Sequence, residues 1–256
     1  MLYLFSGLRR KASLPAVLIE RGKNTGCEIR ITEYDITNGP AQDLSLDSIW
    51  EEVLQRIRAG DFDVLVVSPP CSTFSRALYR WSGGPRPLRS SKHFWGFPWI
   101  MGRRRAKIRM ANKLIQRALL ACAAAVDADA FFLLEFPEDL GNRGPHRPAS
   151  LWQLSALRKL AKRAGAQRLA IYQKWFGTPY LKPTGLLTTL TPTADFPVIG
   201  WPVFDGQGIY QGPLKYEAAP PMPLGPDKTA ETAAYPVQMN IAISKMTIAT
   251  IFRRRR

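Results

Sequence analysis

The sequence predicts an α/β fold with a mostly parallel sheet, helices on both of its faces and a small irregular lobe near the C-terminus. Three observations lead to this prediction. Short apolar segments alternate along residues 1–191 with segments whose apolar side chains recur at helical spacing. Residues 192–226 are rich in proline and glycine. Helical spacing returns within residues 227–256, so we expect a last helix that packs back on the core.

The first segments predict a strand, a helix and a second strand. Residues 2–5 are apolar and precede a serine and a glycine, which is typical of a strand followed by a turn. Residues 14–21 have helical spacing, and we expect Gly22 to end this helix. Residues 27–33 alternate apolar and polar side chains, which predicts the second strand.

The next segments predict a helix, a buried strand and a long loop. Residues 46–59 have helical spacing, with an aspartate near their start and a glycine just past their end. Residues 63–67 are mostly apolar and run into two prolines, which indicates a buried strand. Residues 72–102 have no sustained period. A loop of this length inside a compact domain is usually functional or disordered.

The rest of the predicted core alternates helices and strands. Residues 104–126 predict the longest helix, basic at its start and apolar toward its end. Residues 131–135 predict a buried strand, and residues 150–163 predict a helix with leucines on one face. Residues 168–173 and 186–190 predict two further strands. Together these segments define the predicted core domain.

The composition changes after the core. In residues 192–226, thirteen of 35 residues are Pro or Gly, too many for regular elements, so we expect an irregular insert or small lobe. Residues 227–256 contain a predicted helix over residues 232–252 and a basic tail.

The charge of the chain predicts a partner that carries phosphate. Lys and Arg total 36 against 20 Asp and Glu, a formal net charge of +16, which suits nucleic acid or an anionic membrane surface. No apolar run approaches the roughly 20 residues of a membrane span, and the first residues do not resemble a signal peptide. The three cysteines are unclustered. We expect an intracellular monomer without disulfides or metal, cytoplasmic in a prokaryote or phage and nuclear in a eukaryote.

A single cysteine lies at the start of a strongly cationic segment. Between Val64 and Val126 the chain has twelve Lys or Arg and no acidic residue. Cys71 follows the predicted strand 63–67 on a turn with two prolines. Neighbouring arginines would lower the pKa of its thiol from about 8.5, which predicts a nucleophile. The alternative is a buried structural cysteine.

The motifs around this cysteine, and their order along the chain, resemble the DNA cytosine-5 methyltransferase family. Residues 69–75, Pro-Pro-Cys-Ser-Thr-Phe-Ser, are similar to the family's Pro-Cys-x-x-Phe-Ser nucleophile motif. The resemblance implies a Rossmann-like methyltransferase core that uses S-adenosyl-L-methionine. It implies methyl transfer to carbon 5 of cytosine in DNA through a covalent Cys71 adduct, with Glu135 as the catalytic carboxyl group.

Several positions of the family pattern are substituted, so the chain looks like a compact, divergent branch of the kind found in phages or mobile elements. The family's Glu-Asn-Val reads Glu-Phe-Pro from Glu135. Residues 176–182 resemble the Gly-x-Pro-Gln-x-Arg segment, but Tyr180, Lys182 and Thr184 replace its glutamine and two arginines. Two alternatives stay open: an inactive relative that binds nucleic acid, and methylation of cytosine in RNA.

The resemblance also implies which residues bind the cofactor. The carboxylate of Glu33 would accept hydrogen bonds from both ribose hydroxyls, with Asp35 as the competing choice. Asp43 and Leu44 resemble a pair that contacts the adenine. The implied cofactor residues are Phe5, Ser6, Gly7, Glu33, Tyr34, Asp43, Leu44 and Pro69.

The cationic loop after Cys71 is the predicted contact with nucleic acid. Basic side chains neutralise phosphates and aromatic rings can stack on bases. In the resembled family the equivalent loop closes over a cytosine extruded from the duplex. We expect the arginines to contact phosphates and the tryptophans to pack on the core. The predicted nucleic-acid residues are Ser72, Ser75, Arg76, Arg80, Arg89, Arg103, Arg104 and Lys182.

Overall fold

The computed structural model describes residues 1–79, 86–218 and 234–254. Over these residues the protein is a mixed α/β fold built on one mostly parallel sheet of six strands. The strands are β1 (Leu2–Leu4), β2 (Thr32–Tyr34), β3 (Val64–Val67), β4 (Phe131–Pro137), β5 (Gln167–Tyr172) and β6 (Pro183–Thr188). Their order is β2-β1-β3-β4-β6-β5, and β6 runs antiparallel to both of its neighbours.

Helices cover both faces of this sheet. In the described residues they are α1 (Leu14–Asn24), α2 (Asp47–Arg58), α3 (Gly102–Asp127), α4 (Ser155–Ala164) and α5 (Val237–Arg254). Helices α2, α3 and α4 pack on one face, and α1 and α5 pack on the other. The predicted α/β fold with helices on both faces is confirmed. Within the described ranges, no helix is long and apolar enough to cross a membrane.

Strand β3 shows why the central strands are apolar at every position. Leu65 and Val67 pack toward α2, α3 and α4, whereas Val64 and Val66 pack toward α1 and α5. All four side chains are buried, and a strand covered on both faces has no position left for a polar residue. Burying each side chain contributes roughly 1.5–3 kcal/mol. Strand β3 is therefore a firm support for the turn that follows it.

A small lobe packs beside β5. Strands β7 (Val203–Phe204) and β8 (Tyr210–Gly212) form an antiparallel pair, and the rest of the lobe up to residue 218 is irregular. The Tyr172 hydroxyl donates to the carbonyl oxygen of Lys215 at 3.1 Å, and Leu214 packs on β5. The part of the predicted insert from residue 219 onward lies outside the described residues.

The predicted end of α1 and the predicted second strand are wrong. Helix α1 continues through Gly22 to Asn24. Gly22 does not end the helix; it lies within it, where the following chain packs against the helix. A Cβ atom there would lie 2.6 Å from the carbonyl oxygen of Cys27 and 2.7 Å from the side chain of Ile29. The chain after α1 thus crosses tightly over the helix, and only Thr32–Tyr34 of residues 27–33 pair as a strand.

Two further predicted helices begin later than the sequence indicated. A 3-10 turn, Leu151–Gln153, precedes α4. The buried indole of Trp152 donates to the carbonyl oxygen of Pro137 at 2.7 Å, so a tertiary contact fixes this turn. Within the described part of residues 232–252, the helix begins only at Val237.

Candidate active site

The parallel strands end at one edge of the sheet, and the predicted site residues follow those ends. In the register, Leu4 is opposite both Tyr34 and Val67, and Val67 is opposite Leu134. The segments after β1, β2 and β3 therefore start level with Glu135 of β4. Crevices at the carboxyl ends of parallel strands are the usual binding sites in such sheets.

The Cys71 turn is fixed to β4 by aromatic packing. Pro69 is buried and Pro70 is exposed, and the N–H of Phe74 donates to the carbonyl oxygen of Cys71 at 2.8 Å. The buried ring of Phe74 meets the ring of Phe136 edge to face, with centroids 5.2 Å apart. Phe136 adjoins Glu135 in β4. This contact therefore holds the Cys71 turn against the end of the strand that carries Glu135.

Cys71, Glu135 and Lys182 form an electrostatically coupled group. Burial raises the pKa of the Cys71 thiol to about 11, and the charge of Glu135 adds to this rise while Lys182 opposes it. Burial raises the pKa of Glu135 to about 7, again opposed by Lys182. Burial lowers the pKa of Lys182, opposed by Glu135 and Cys71. A thiol, a carboxyl group and an ammonium group that titrate near one another are typical of functional sites.

Lys182 reaches this group from the turn before β6. Its φ of 39° is left-handed, which is unfavourable for a residue with a long side chain. The N–H of Gln173 and the hydroxyl of Thr184 both donate to its carbonyl oxygen. The surrounding structure thus holds a strained backbone in place. Lys182 was predicted as a contact with nucleic acid, but its coupling to Cys71 and Glu135 was not foreseen.

The predicted lowering of the Cys71 pKa is wrong. The prediction counted arginines that are near in sequence, but two of them, Arg76 and Arg89, are engaged elsewhere. The charge that raises the pKa instead comes from Glu135, on the next strand of the sheet. Cys71 is therefore a thiol near neutral pH.

Alkylation of Cys71 by iodoacetamide at about pH 7.5 is expected to be roughly a hundredfold slower than that of a free cysteine in a peptide, because so little thiolate is present. Peptide mass spectrometry gives the rate at Cys71 separately from Cys27 and Cys122. Glu135→Gln should speed the reaction, since it removes a negative charge beside the sulfur. A rate at Cys71 equal to that of the peptide would contradict the raised pKa.

The turn after β1 is strained and contains an unpaired polar group. Phe5 has a left-handed φ of 61°, and its N–H donates to the carbonyl oxygen of Tyr34 at 2.7 Å. The hydroxyl of Ser6 is buried and has no hydrogen-bond partner within the described residues. Gly7 has a φ of 72°, and no atom lies within 4 Å of the position of a Cβ there. A strained turn with an orphaned hydroxyl suits a ligand that supplies the missing hydrogen bond.

The structure separates the two candidate acids for the ribose. The carboxylate of Asp35 accepts hydrogen bonds from the N–H of Gly7 at 2.8 Å and from the N–H and hydroxyl of Thr37. Asp35 thus holds the turn together. Glu33 is mostly buried. Among the described residues, its carboxylate forms one ion pair, with the exposed guanidinium of Arg9 at 3.3 Å. Glu33 is the acid with oxygen atoms left for a ligand.

The adenine pair is only partly available. Leu44 is 3 % exposed and belongs to the core that α2 and α3 share, so its side chain is packed within the protein. Its carbonyl oxygen accepts from Arg117, which fastens this segment to α3. The carboxylate of Asp43 accepts from the N–H of Ser45 at 2.8 Å.

Arg89 is not a phosphate contact, contrary to the prediction. It is 1 % exposed, its guanidinium lies 3.9 Å from the ring centroid of Phe74, and it donates to Phe94 and Asn112. A buried guanidinium that stacks on a ring and binds loop atoms organises the loop from within. Arg89 therefore stabilises the Cys71 turn through its stacking on Phe74.

Arg76 is likewise a structural clamp. Its guanidinium donates to the carbonyl oxygens of Gly141 and Asn142, and Arg143 donates to the carbonyl oxygen of Arg76 at 2.8 Å. These bonds join the segment after Cys71 to the segment after β4. The prediction that Arg76 contacts phosphate is not supported by this geometry, because its donors are used within the protein.

The other predicted nucleic-acid residues differ in exposure. Ser72, Arg103 and Arg104 are exposed. The half-buried hydroxyl of Ser75 accepts from the N–H of Ala77 at 3.3 Å, which leaves its proton for another partner. Arg80 lies outside the described residues.

The expected packing of the tryptophans is wrong where the structure describes them in this loop. Trp95 is 44 % exposed and Trp99 is 66 % exposed, whereas Phe94 is buried. Trp81 lies outside the described residues. The loop thus buries Phe94 and Arg89, whereas Trp95 and Trp99 are exposed.

A hydroxyl network beneath the site was missed by sequence analysis. The hydroxyl groups of Ser68 and Tyr235 lie 2.6 Å apart, and Tyr3 joins them by hydrogen bonds. Burial raises the pKa of both tyrosines. The only sequence signal was a Tyr-Pro pair before the last helix. The network ties the segment before α5 to the strand end that precedes Cys71.

Comparison with models of known protein families and with curated proteins gives no match to this chain. Within the described residues, no group of three or more His, Cys, Asp or Glu side chains is placed to hold a metal ion.

Proposed function

We propose that this protein transfers a methyl group from S-adenosyl-L-methionine to carbon 5 of cytosine in nucleic acid, with DNA as the favoured substrate. The observation that carries the proposal is the coupling of Cys71, Glu135 and Lys182 at the strand ends. The motif resemblance selected Cys71 and Glu135 independently of their positions in space. Their meeting in one group is what a covalent mechanism requires.

The chemistry explains why both groups are needed. Carbon 5 of cytosine is a poor nucleophile, and addition of a thiolate to carbon 6 makes it electron-rich. In this proposal the proton of the Cys71 thiol passes to the carboxylate of Glu135, and the sulfur forms a bond to carbon 6. The carboxylic acid then gives the proton to nitrogen 3, which accepts the electron pair displaced from the ring. Lys182 balances the negative charge of the pair.

The residues around the β1 turn fit the cofactor. The orphaned hydroxyl of Ser6 is a free hydrogen-bonding group, and Glu33 has carboxylate oxygens for two ribose hydroxyls. The unobstructed surface of Gly7 permits close approach of a ligand. When bound, S-adenosyl-L-methionine supplies an electrophilic methyl group to carbon 5. The proposed fold is accordingly a Rossmann-like methyltransferase core.

A second candidate function is binding of nucleic acid without turnover. The raised pKa of Cys71 favours it, because a thiol that stays protonated is a weak nucleophile. Tyr180 and Thr184, at positions where the resembled family has a glutamine and an arginine, point the same way. Trapping of a covalent adduct separates the two functions.

Incubation with an oligonucleotide that contains 5-fluorocytosine, together with S-adenosyl-L-methionine, is expected to give a covalent adduct of protein and nucleic acid. After methyl transfer, loss of the proton on carbon 5 expels the Cys71 sulfur from carbon 6 and restores the ring. Fluorine in place of that proton blocks this release, so the adduct accumulates and is seen by denaturing electrophoresis and mass spectrometry. Cys71→Ala should abolish it, while Cys27→Ala, a matched change at another free and partly exposed cysteine, should not. Cofactor binding without any adduct would favour the inactive relative.

A parallel incubation with an RNA oligonucleotide of the same sequence tests the substrate. Faster adduct formation on the deoxyribose strand is expected. Adduct formation on RNA alone would replace DNA by RNA in the proposal.

A further inference from the structure

An exposed surface of aromatic and basic side chains lies between the Cys71 turn and helix α3. We call it the α3 platform and define it by Trp95, Phe97 and Trp99 with the first turns of α3. The rings of Phe97 and Trp99 are nearly parallel, at 14°, with centroids 4.7 Å apart. Phe97 stacks on the indole and the His93 ring meets it edge to face at 5.6 Å between centroids, yet Trp99 is 66 % exposed, so much of the indole remains accessible. An exposed, pre-positioned tryptophan is unusual on a protein surface and suggests a binding role.

The start of α3 concentrates positive charge where the helix itself disfavours it. The exposed cations of this segment are Arg103, Arg104, Arg105, Lys107 and Arg109. None of them has an ion pair among the described residues, and the first turn of the helix has no acidic residue. The helix dipole is positive at this end and attracts anions. An anionic partner would find both the exposed cations and the positive end of the helix dipole here.

Basic side chains of α3 also line an open groove. A groove of about 470 Å³ runs along α3 and is lined by Gly102, Arg105, Ala106, Arg109, Met110 and Lys113. Trp99 and Met101 lie just before α3 in the chain, and Met101 is 69 % exposed. A chain with regularly spaced phosphates and flat apolar groups matches this combination of charge and rings.

A continuous series of ring contacts joins the platform to the candidate active site. Phe136 contacts Phe74, Phe74 contacts Phe94 at 5.4 Å, and Phe94 contacts Trp95 at 4.8 Å between centroids. Asn112 of α3 donates to the carbonyl oxygen of Trp95 at 2.8 Å. The platform is thus fixed to both α3 and the Cys71 turn.

We propose that the α3 platform binds a single-stranded segment of nucleic acid, with one base stacked on Trp99 and its phosphates on the cations at the start of α3. The inference rests on nucleic acid as the substrate class of the proposed function, and it names the form that is bound. A single strand is required because the bases of a duplex stack on each other, and only an unpaired base can present its face to an indole.

The test measures the anisotropy of a fluorescein-labelled oligothymidine without cofactor, so no chemistry is involved. Trp99→Ala is expected to weaken binding about tenfold, as stacking of one base predicts, and Trp99→Phe should restore most of the affinity. Trp175→Ala removes another partly exposed tryptophan and should have no effect. Thermal unfolding confirms that each variant is folded. Equal affinity of wild type and Trp99→Ala would overturn the proposal.

Charge and strandedness are tested with the same assay. The pair Arg103→Gln, Arg104→Gln should lower the slope of log affinity against log salt by roughly 0.7 for each phosphate that the variant no longer neutralises. Lys159→Gln with Lys162→Gln, on the exposed face of α4, is the matched control and should leave the slope unchanged. A duplex of the same length that competes as well as the single strand would overturn the proposal.

Basic and aromatic side chains can also bind an anionic membrane, so vesicles of phosphatidylserine and phosphatidylcholine form the third arm. Loss of vesicle binding in Trp99→Ala with unchanged oligonucleotide binding would assign the platform to lipid and overturn the proposal. Failure of the proposed function is distinguishable. If no adduct forms in the trapping assay but Trp99→Ala still weakens binding of the single strand, the proposal of methyl transfer is rejected and the proposal for the α3 platform is supported.

Discussion

Replacing Glu135 with glutamine is expected to slow methyl transfer by about 10²- to 10⁴-fold, the range for loss of a general acid–base group. Glutamine has nearly the same shape and can still donate a hydrogen bond to nitrogen 3 of cytosine. It cannot accept the proton of the Cys71 thiol. The substitution therefore removes the proton transfer and keeps the contact.

The two pKa values make the effect depend on pH in a way that identifies the mechanism. Between about pH 7 and 11 the main state of the pair is a thiol with a carboxylate. Attack needs a thiolate with a carboxylic acid, which holds the same number of protons. Transfer from Cys71 to Glu135 converts one state to the other, so the rate of the wild type should rise through about pH 7 and then stay level.

The variant should follow a different curve. Without an internal acceptor, the Cys71 proton must leave to solvent, so the rate of Glu135→Gln should keep rising about tenfold per pH unit above neutrality. Single-turnover transfer of a labelled methyl group, measured from about pH 6 to pH 10, distinguishes the curves. Glu28→Gln, at an exposed carboxylate, is the control. A parallel profile for wild type and Glu135→Gln would rule out proton transfer within the pair.

The same substitution has a linked effect on stability. The folded pKa of Glu135 lies above its ordinary value, so the folded protein binds a proton that the unfolded chain has released between about pH 4.5 and 7. This contribution to the free energy of unfolding is present below about pH 4.5 and is lost as the pH rises through 7. Glu135→Gln should then be more stable than the wild type above pH 7, by up to about 3 kcal/mol.

Sequence alone could predict the meeting of Cys71 and Glu135 because it depends on topology. Each follows or ends a buried apolar strand, and neighbouring parallel strands bring their carboxyl ends to one edge. The same reasoning places Glu33 at that edge. Apolar periodicity also predicted the buried faces of α2 and α4, because side chains at helical spacing lie on one side of a helix.

The environment of each group could not be predicted in this way. The charge near Cys71 comes from Glu135 and Lys182, which are distant in sequence, whereas composition counted the arginines close along the chain. Arg89 was predicted at the surface because it lies in a basic loop without periodicity, yet it is buried against Phe74. Proximity in space and partners for hydrogen bonds decide a side chain's role, and neither is written in local sequence.

Replacing Glu138 with alanine is expected to lower the free energy of unfolding by about 3–5 kcal/mol, because it leaves a buried guanidinium without its counter-charge. The side chains of Glu138 and Arg168 are 0 % and 1 % exposed and form an ion pair. Arg168 also lies over the ring of Trp152 at 4.3 Å and packs so closely on Gly185 that a Cβ there would clash. The guanidinium therefore has no route to solvent without disruption of the sheet.

Urea unfolding of the variants measures this cost. Glu28→Ala removes an exposed partner of an ion pair and should change stability by less than about 1 kcal/mol. The double variant Glu138→Leu, Arg168→Met should recover most of the loss, since it removes the unpaired charge along with the pair. If Glu138→Ala costs no more than Glu28→Ala, the pair does not have the energetic role assigned here.

The double variant also separates stability from positioning. Glu138 lies just past the end of β4, close along the chain to Glu135, and Arg168 further donates to the carbonyl oxygens of Leu169 and Gly200. The pair thus connects β5, the lobe and the end of β4. Its hydrogen bonds fix the orientation of these parts, and apolar side chains cannot form such bonds. A double variant that is stable but forms the Cys71 adduct more slowly would show that the ion pair orients Glu135, because packing alone would have been restored.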